Sequence, residues 1–168
     1  MKLIYKYCPY CSEKLINKKE LYLCPKCKES IYKNYAYIGV GMVFVKNGKV
    51  LLSKRGMEPR KGIYDIIGGF LNDDEYPEKG VLREVKEETG LNVKVEKILG
   101  IYRDSYGKND EPTLNIIYTG KIISGKMKPQ DGEISELKWF DLDKTKNLEL
   151  FKNVKEALSD LRKLQQKN

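Results

Sequence analysis

The chain predicts an α/β (α+β) fold, a mixed β-sheet sandwiched between helices, preceded by a small four-cysteine module. Three observations carry this expectation. Apolar, β-branched runs at 37–45, 50–53, 64–67, 93–102, 114–123 and 137–140 accompany helical stretches at 77–89 and 154–164, without regular strand–helix alternation. The cysteines all fall within the first 27 residues, as two CxxC pairs. The length, 168 residues, suits one domain with a small appendage.

The amino-terminal pairs are Cys8-Pro9-Tyr10-Cys11 and Cys24-Pro25-Lys26-Cys27, separated by twelve residues. Each tight turn points two thiolates at one ion, and two turns complete a tetrahedron, as in a closed structural Zn²⁺ site. A segment of roughly 30 residues buries too little surface to fold alone, so metal binding supplies its stability. Segments 14–16 and 20–23 read as short strands. Disulfides and redox thiols are the competing readings, and a reducing compartment favours zinc over both. The pattern resembles the zinc-ribbon family. Many ribbons place Gly after the second Cys of each knuckle, where this chain has Ser12 and Lys28. A structural or dimer-forming role is expected for the ribbon ahead of nucleic-acid recognition, although Tyr5, Tyr7, Tyr10 and Tyr22 could stack bases. Residues 1–35 hold eight Lys and three Glu. The end of this basic stretch divides the chain into a ribbon, 1–34, and a second domain, 35–168.

In the second domain, Asn47-Gly48 is a hairpin turn joining strand 37–45 to its return strand 50–53. Strand 64–67 ends at Gly68-Gly69. Helix 77–89 is framed by Pro77 at its start and Gly90 beyond its end, with Val81, Leu82 and Val85 on one face. Strands 93–102, 114–123 and 137–140 follow, and Val154, Leu158 and Leu161 give the closing helix its apolar stripe.

Composition narrows the chemistry. The chain has no histidine, which excludes Ser-His and Cys-His nucleophile pairs and His-ligated metal sites. Acid–base work falls to Asp, Glu, Lys, Tyr or bound water. A net charge of +8 and pI near 9.1 favour anionic partners: nucleotides, nucleic acid or acidic surfaces. No run approaches the roughly 18 apolar residues of a membrane span, and the N-terminus lacks the apolar stretch of a signal peptide. A cytoplasmic protein with no membrane partner is expected.

Glu84, Glu87 and Glu88 lie at i, i+3 and i+4, so a helix projects them from one side. Three like charges repel, and the cluster is tolerable where it binds hard divalent cations. Glu75, in the preceding loop, can reach the same stripe. Arg83 is four residues before Glu87, placed to hold its carboxylate.

Residues 69–91 resemble the Nudix box: Gly69, five residues, Glu75, seven residues, then Arg83-Glu84-Val85-Lys86-Glu87-Glu88-Thr89-Gly90-Leu91. The resemblance covers about residues 36–165. It implies the Nudix fold and Mg²⁺- or Mn²⁺-dependent hydrolysis of a phosphoanhydride bond in a nucleoside diphosphate derivative. It implies metal binding by Glu84, Glu87 and Glu88 with the Gly69 carbonyl, supported by Glu75. Catalysis is expected from Glu88, Glu133, Glu87 and Arg83, with Glu88 or Glu133 taking the proton of the attacking water. Asp74, Tyr76 and Gly80 depart from the usual box, standing where Gly, a capping Ser or Thr, and Ala are common. Lys54 and Arg55, with Arg60 and Lys61, could hold outer phosphates, and Tyr106 stands about 15 residues past the box, at a position that resembles the substrate tyrosine of dinucleoside polyphosphate hydrolases.

A zinc ribbon joined to such a domain is similar to the NADH pyrophosphatase family, but the Ser-Gln-Pro-Trp-Pro-Phe-Pro run of that family is absent. ADP-ribose is therefore the preferred expectation, with a dinucleotide such as NADH beside it. The alternatives are RNA 5′-end pyrophosphohydrolysis, and a non-catalytic nucleotide sensor or adaptor that contacts partners through the ribbon. A homodimer is a family-based expectation.

Overall fold

The computed structural model describes residues 5–33, 36–108 and 110–166. The expected boundary at 34/35 lies outside the described residues. The cysteine-bearing segment forms an antiparallel sheet in the order β1 (Ile16–Asn17), β2 (Leu21–Leu23), β3 (Ser30–Tyr32). The strand expected at 14–16 starts two residues later, with Lys14 making an isolated bridge to Tyr7. The third strand, three residues long, is too short for a periodicity to announce it in the sequence.

The larger sheet has seven strands: β4 (Tyr37–Lys46), β5 (Lys49–Arg55), β6 (Tyr64–Asp65), β7 (Ile67–Phe70), β8 (Asn92–Tyr106), β9 (Glu111–Ser124) and β10 (Ile134–Asp141). The main path runs β10-β5-β4-β9-β8, with β6 on β5 and β7 on β4. The β4–β9 pair is parallel and the others antiparallel, which makes the sheet mixed. Asn47 and Gly48, at φ of 51° and 72°, turn β4 into β5.

Two helices cover the faces: α1 (Pro77–Thr89) and α2 (Lys152–Gln165). Alternation along β4 sends Met42 and Phe44 toward Val81 and Val85 of α1, and Val43 toward Val154 and Leu158 of α2. With both faces covered, β4 and β5 read as continuous apolar runs. Each large side chain buried there contributes about 1.5–3 kcal/mol.

The strand expected at 64–67 is two strands. Asp65 still pairs with Ser53 of β5, but from Ile67 the chain pairs with β4, and it continues through both glycines to Phe70. The glycines permit this change of partner, since a Cβ on Gly68 would sit 2.0 Å from the Val40 carbonyl oxygen. Among the described residues, no helix is long and apolar enough to cross a membrane.

Candidate active site

Helix α1 brings the acidic stripe to β7. Its start has no side-chain cap, and Pro77 supplies the first turn instead. Its end is firm: Gly90, at φ 70°, donates its N–H to the Lys86 carbonyl at 2.9 Å. Buried Val81 and Val85 fix the rotation of the helix, so Glu84 and Glu88 meet the glycines of β7. Gly68 N–H donates to Glu88 Oε2 at 3.0 Å. A Cβ on Gly69 would lie 2.6 Å from the Glu84 carboxyl carbon, so glycine is what lets this carboxylate lie against the strand. Gly80 has a similar cause. An added methyl would meet Leu71 at 2.3 Å and Glu75 Oε2 at 3.0 Å.

Arg83 ties the stripe together. Its guanidinium donates to Glu75 from Nε at 2.9 Å and from the second terminal nitrogen at 2.8 Å. The first terminal nitrogen reaches Glu84 at 2.7 Å and Glu87 at 3.1 Å. The expected pair with Glu87 is thus one of three, and half of the Glu87 side chain remains in solvent. Hydrogen bonds from Arg83 hold the Glu75 carboxyl below its ordinary value. Burial pushes Glu84 up, against the pull of Arg83. Glu88 is only 8% exposed. Burial raises its carboxyl well above the ordinary range, the Gly68 N–H works against this, and the charges of Asp65, Glu84 and Glu133 add to it. One guanidinium therefore serves three of four glutamates, and the remaining negative potential suits a cation.

The stripe forms one wall of a cavity of about 390 Å³. Gly69, Glu84, Glu87 and Glu88 line it together with Glu133, whose loop is anchored by Gly56 N–H donating to the Glu133 carbonyl at 2.6 Å. Glu75 is not in the wall and acts through Arg83. Arg55, Tyr106 and Phe70 line it as well. Arg55 donates to the Tyr106 hydroxyl at 2.9 Å and to the Pro59 carbonyl at 3.0 Å, and Phe70 meets Tyr106 edge-on at 5.2 Å. Lys54 is not brought in. Successive residues of a strand face opposite ways, and its ammonium lies 5.7 Å over the Tyr64 ring. Arg60 stacks over Phe151 at 4.9 Å, outside the lining, and Lys61 is exposed.

Sequence reasoning missed two acids of this cavity. Asp65 lines it at the end of β6, its Oδ1 accepting from Ile66 N–H at 2.8 Å. Burial pushes its carboxyl up to about 7, with Arg55 pulling down and Asp104 pushing up. Asp104 also lines it, and Asp104 Oδ2 accepts from Asn153 N–H at 3.0 Å, capping α2 from β8. A lone acid in a strand carries no spacing signal, so neither was findable without the pairing of the sheet.

The cysteine sulfurs lie within 4.8 Å of one another. Cys8 and Cys27 are 3.6 Å apart, Cys11 and Cys24 3.5 Å, Cys11 and Cys27 3.6 Å. Tetrahedral thiolates about 2.3 Å from zinc stand roughly 3.8 Å apart, so the four fit that ion. The missing glycines are accounted for: Ser12 and Lys28 themselves adopt φ of 58° and 65°. Their N–H groups donate back to Cys8 and Cys24 carbonyls at 2.9 and 3.1 Å. Among the described residues, no carboxylate group gathers as tightly as these thiolates. Mg²⁺ needs no such cage, since it keeps waters and takes one or two carboxylates together with substrate phosphates.

The family described as NUDIX domain matches residues 37–161. An ADP-ribose pyrophosphatase of Methanocaldococcus jannaschii is 35% identical over 132 residues, 79% of this chain and 74% of the relative. A NAD-capped RNA hydrolase NudC of Chromobacterium violaceum is 30% identical over 141 residues, 83% of this chain. The chain spans about half the length of that relative, 51%. A crystal structure of a NUDIX hydrolase from Nitrosomonas europaea superposes with a TM-score of 0.72 at 23% identity, covering 92% of this chain and 88% of the other, and shows the shared fold.

Proposed function

The chain belongs to the NUDIX family of hydrolases, and on that premise we propose that it hydrolyses the phosphoanhydride bond of ADP-ribose or a related dinucleotide such as NADH, with Mg²⁺ or Mn²⁺. The observation that carries this reading is one cavity lined by Glu84, Glu87 and Glu88 together with Arg55 and Tyr106. Glu84, Glu87 and Glu88, with the Gly69 carbonyl, would hold the divalent ions, and Glu75 would position them through Arg83. A divalent ion held there would supply charge neutralisation for the phosphates and a site for the attacking water.

The chain's own groups do the rest. Arg55, braced by Pro59 and Tyr106, holds a phosphate oxygen and leaves the ester group against Tyr106 and Phe70. Glu88 or Glu133 accepts the proton of the attacking water on a carboxylate oxygen. The name of the M. jannaschii relative supports ADP-ribose as the first substrate to assay. Four thiolates would hold one Zn²⁺ as the structural centre of a ribbon, 1–34, ahead of the hydrolase domain, 35–168.

The test is a substrate panel with Mg²⁺ or Mn²⁺: ADP-ribose, NADH, diadenosine polyphosphates, nucleoside triphosphates and triphosphorylated RNA. The expected result is cleavage of ADP-ribose to AMP and ribose 5-phosphate, lost with chelator. Binding of ADP-ribose without turnover would establish the sensor reading instead. The NudC relative favours one second reading, hydrolysis of NAD-capped RNA. It predicts cleavage that weakens steeply with salt as phosphate contacts are screened.

A further inference from the structure

We propose that Asp65 accepts a hydrogen bond from a hydroxyl of the sugar next to the diphosphate, and so makes the cavity selective for sugar-bearing diphosphates. The inference rests on the function proposed above and names the part of the substrate that this wall reads.

Asp65 is held in place from both sides. Its backbone pairs with Ser53 of β5, and its carboxylate is fixed at Oδ1 by the Ile66 N–H. The other oxygen, Oδ2, has no hydrogen-bond or ion-pair partner among the described residues, although the residue lines the cavity. Asp65 Oδ2 is not among the sealed, unpartnered side-chain atoms, so it is open to a donor that enters the cavity. Protein groups nearby do not offer one. Arg55 gives Asp65 no hydrogen bond: its guanidinium donates to the Pro59 carbonyl and the Tyr106 hydroxyl, with N–H groups left over for phosphate. Asp104 and Glu88 are acids, and both act on Asp65 or feel it as like charges.

The ligand group that meets Asp65 must therefore donate. Phosphate oxygens cannot, and above about pH 7, where Asp65 is ionised, like charge keeps the diphosphate from this spot. Sugar hydroxyls and base amines remain, and position decides between them. Asp65 is three residues before Gly68, whose N–H binds Glu88, and three residues of extended chain span at most about 10 Å. The donor thus sits within reach of the metal-binding wall, in the same cavity as Arg55, which holds a phosphate oxygen. A sugar hydroxyl is one ester linkage from phosphorus, whereas a base amine is a further ring away.

The experiment uses full-length Asp65→Asn and Asp65→Ala proteins, with circular dichroism confirming the fold. Steady-state kinetics are run on ADP-ribose, on its two 2-deoxy sugar analogues, on the inosine counterpart, and on an ADP ester of a simple alkyl alcohol. The expected result is a rise in KM for ADP-ribose of about tenfold, with kcat changed by less than about threefold. The preference for ADP-ribose over the alkyl ester should fall by the same factor, and one deoxy analogue should lose its sensitivity to the substitution. An equal loss of kcat on every substrate would place Asp65 in the chemical step and overturn the proposal. Sensitivity lost only with the inosine substrate would assign it to the base, and no change on any substrate would remove it from recognition. Failure of the wild-type protein to cleave ADP-ribose would instead count against the function proposed above.

Discussion

Gly69→Ala separates the site from the fold. The backbone at Gly69 is not in the left-handed region, so alanine meets no backbone strain there. Its methyl carbon, however, would fall 2.6 Å from the Glu84 carboxyl carbon and 2.6–2.7 Å from both its oxygens. Ordinary contact begins near 3.4 Å, so the carboxylate must retreat by about 0.8 Å. Glu84 is a side-chain terminus and can swing away, which makes the change inexpensive for stability, within about 1 kcal/mol. For chemistry the same movement is costly. A misplacement near 1 Å costs about 10²-fold in rate, or roughly 2.7 kcal/mol of transition-state stabilisation. The assay is kcat/KM on ADP-ribose with saturating Mg²⁺, set beside a thermal melt of the same preparation. We expect a loss of about a hundredfold with Tm nearly unchanged. Wild-type activity in Gly69→Ala would refute the assignment of Glu84 to the metal site.

Other outcomes follow from the same geometry. Glu88→Gln should lower kcat by about 10²–10⁴-fold, the range of a lost general base, with full retention pointing to Glu133 instead. Arg83→Met leaves three glutamates without their shared cation, so Tm should fall by several degrees in chelator and by less in Mg²⁺, which takes over part of the neutralisation; scanning calorimetry in both buffers checks this. Asp65 keeps its proton in the folded protein up to about pH 7, against 3.8 in the unfolded chain. Its stabilising contribution is fully present below pH 3.8 and is lost as pH rises through about 7. The Tm of metal-free wild type minus that of Asp65→Asn should therefore decline between pH 4 and 7.5. Cys24→Ser should release the zinc, from one ion per chain to none by elemental analysis, and lower the melting temperature.

What was legible in the sequence was what is local. Helix 77–89 could be bounded to the residue because Pro77 and Gly90 mark its ends, and three glutamates at helical spacing must share a side whatever surrounds them. Two CxxC turns likewise carry their geometry with them. What needed the third dimension was pairing. Lys54 and Arg55 are equivalent as sequence, and only the register of β5 sends one into the cavity and the other over Tyr64. Asp65 and Phe70 reach the site because the chain leaves β5 for β4 at Ile66, a change of partner that no periodicity announces. Glu75 was expected at the acidic stripe, but the bidentate grip of Arg83, which makes its support indirect, depends on a loop whose path was open.

Diffraction from crystals soaked in Mn²⁺, with anomalous data at the manganese edge, bears most directly on the central claim. The expected map shows at least one manganese peak in the cavity, about 2.0–2.3 Å from carboxylate oxygens of Glu84, Glu87 or Glu88. Arg83 should still hold Glu75. A cavity free of anomalous signal, with those three carboxylates turned toward bulk solvent, would contradict it.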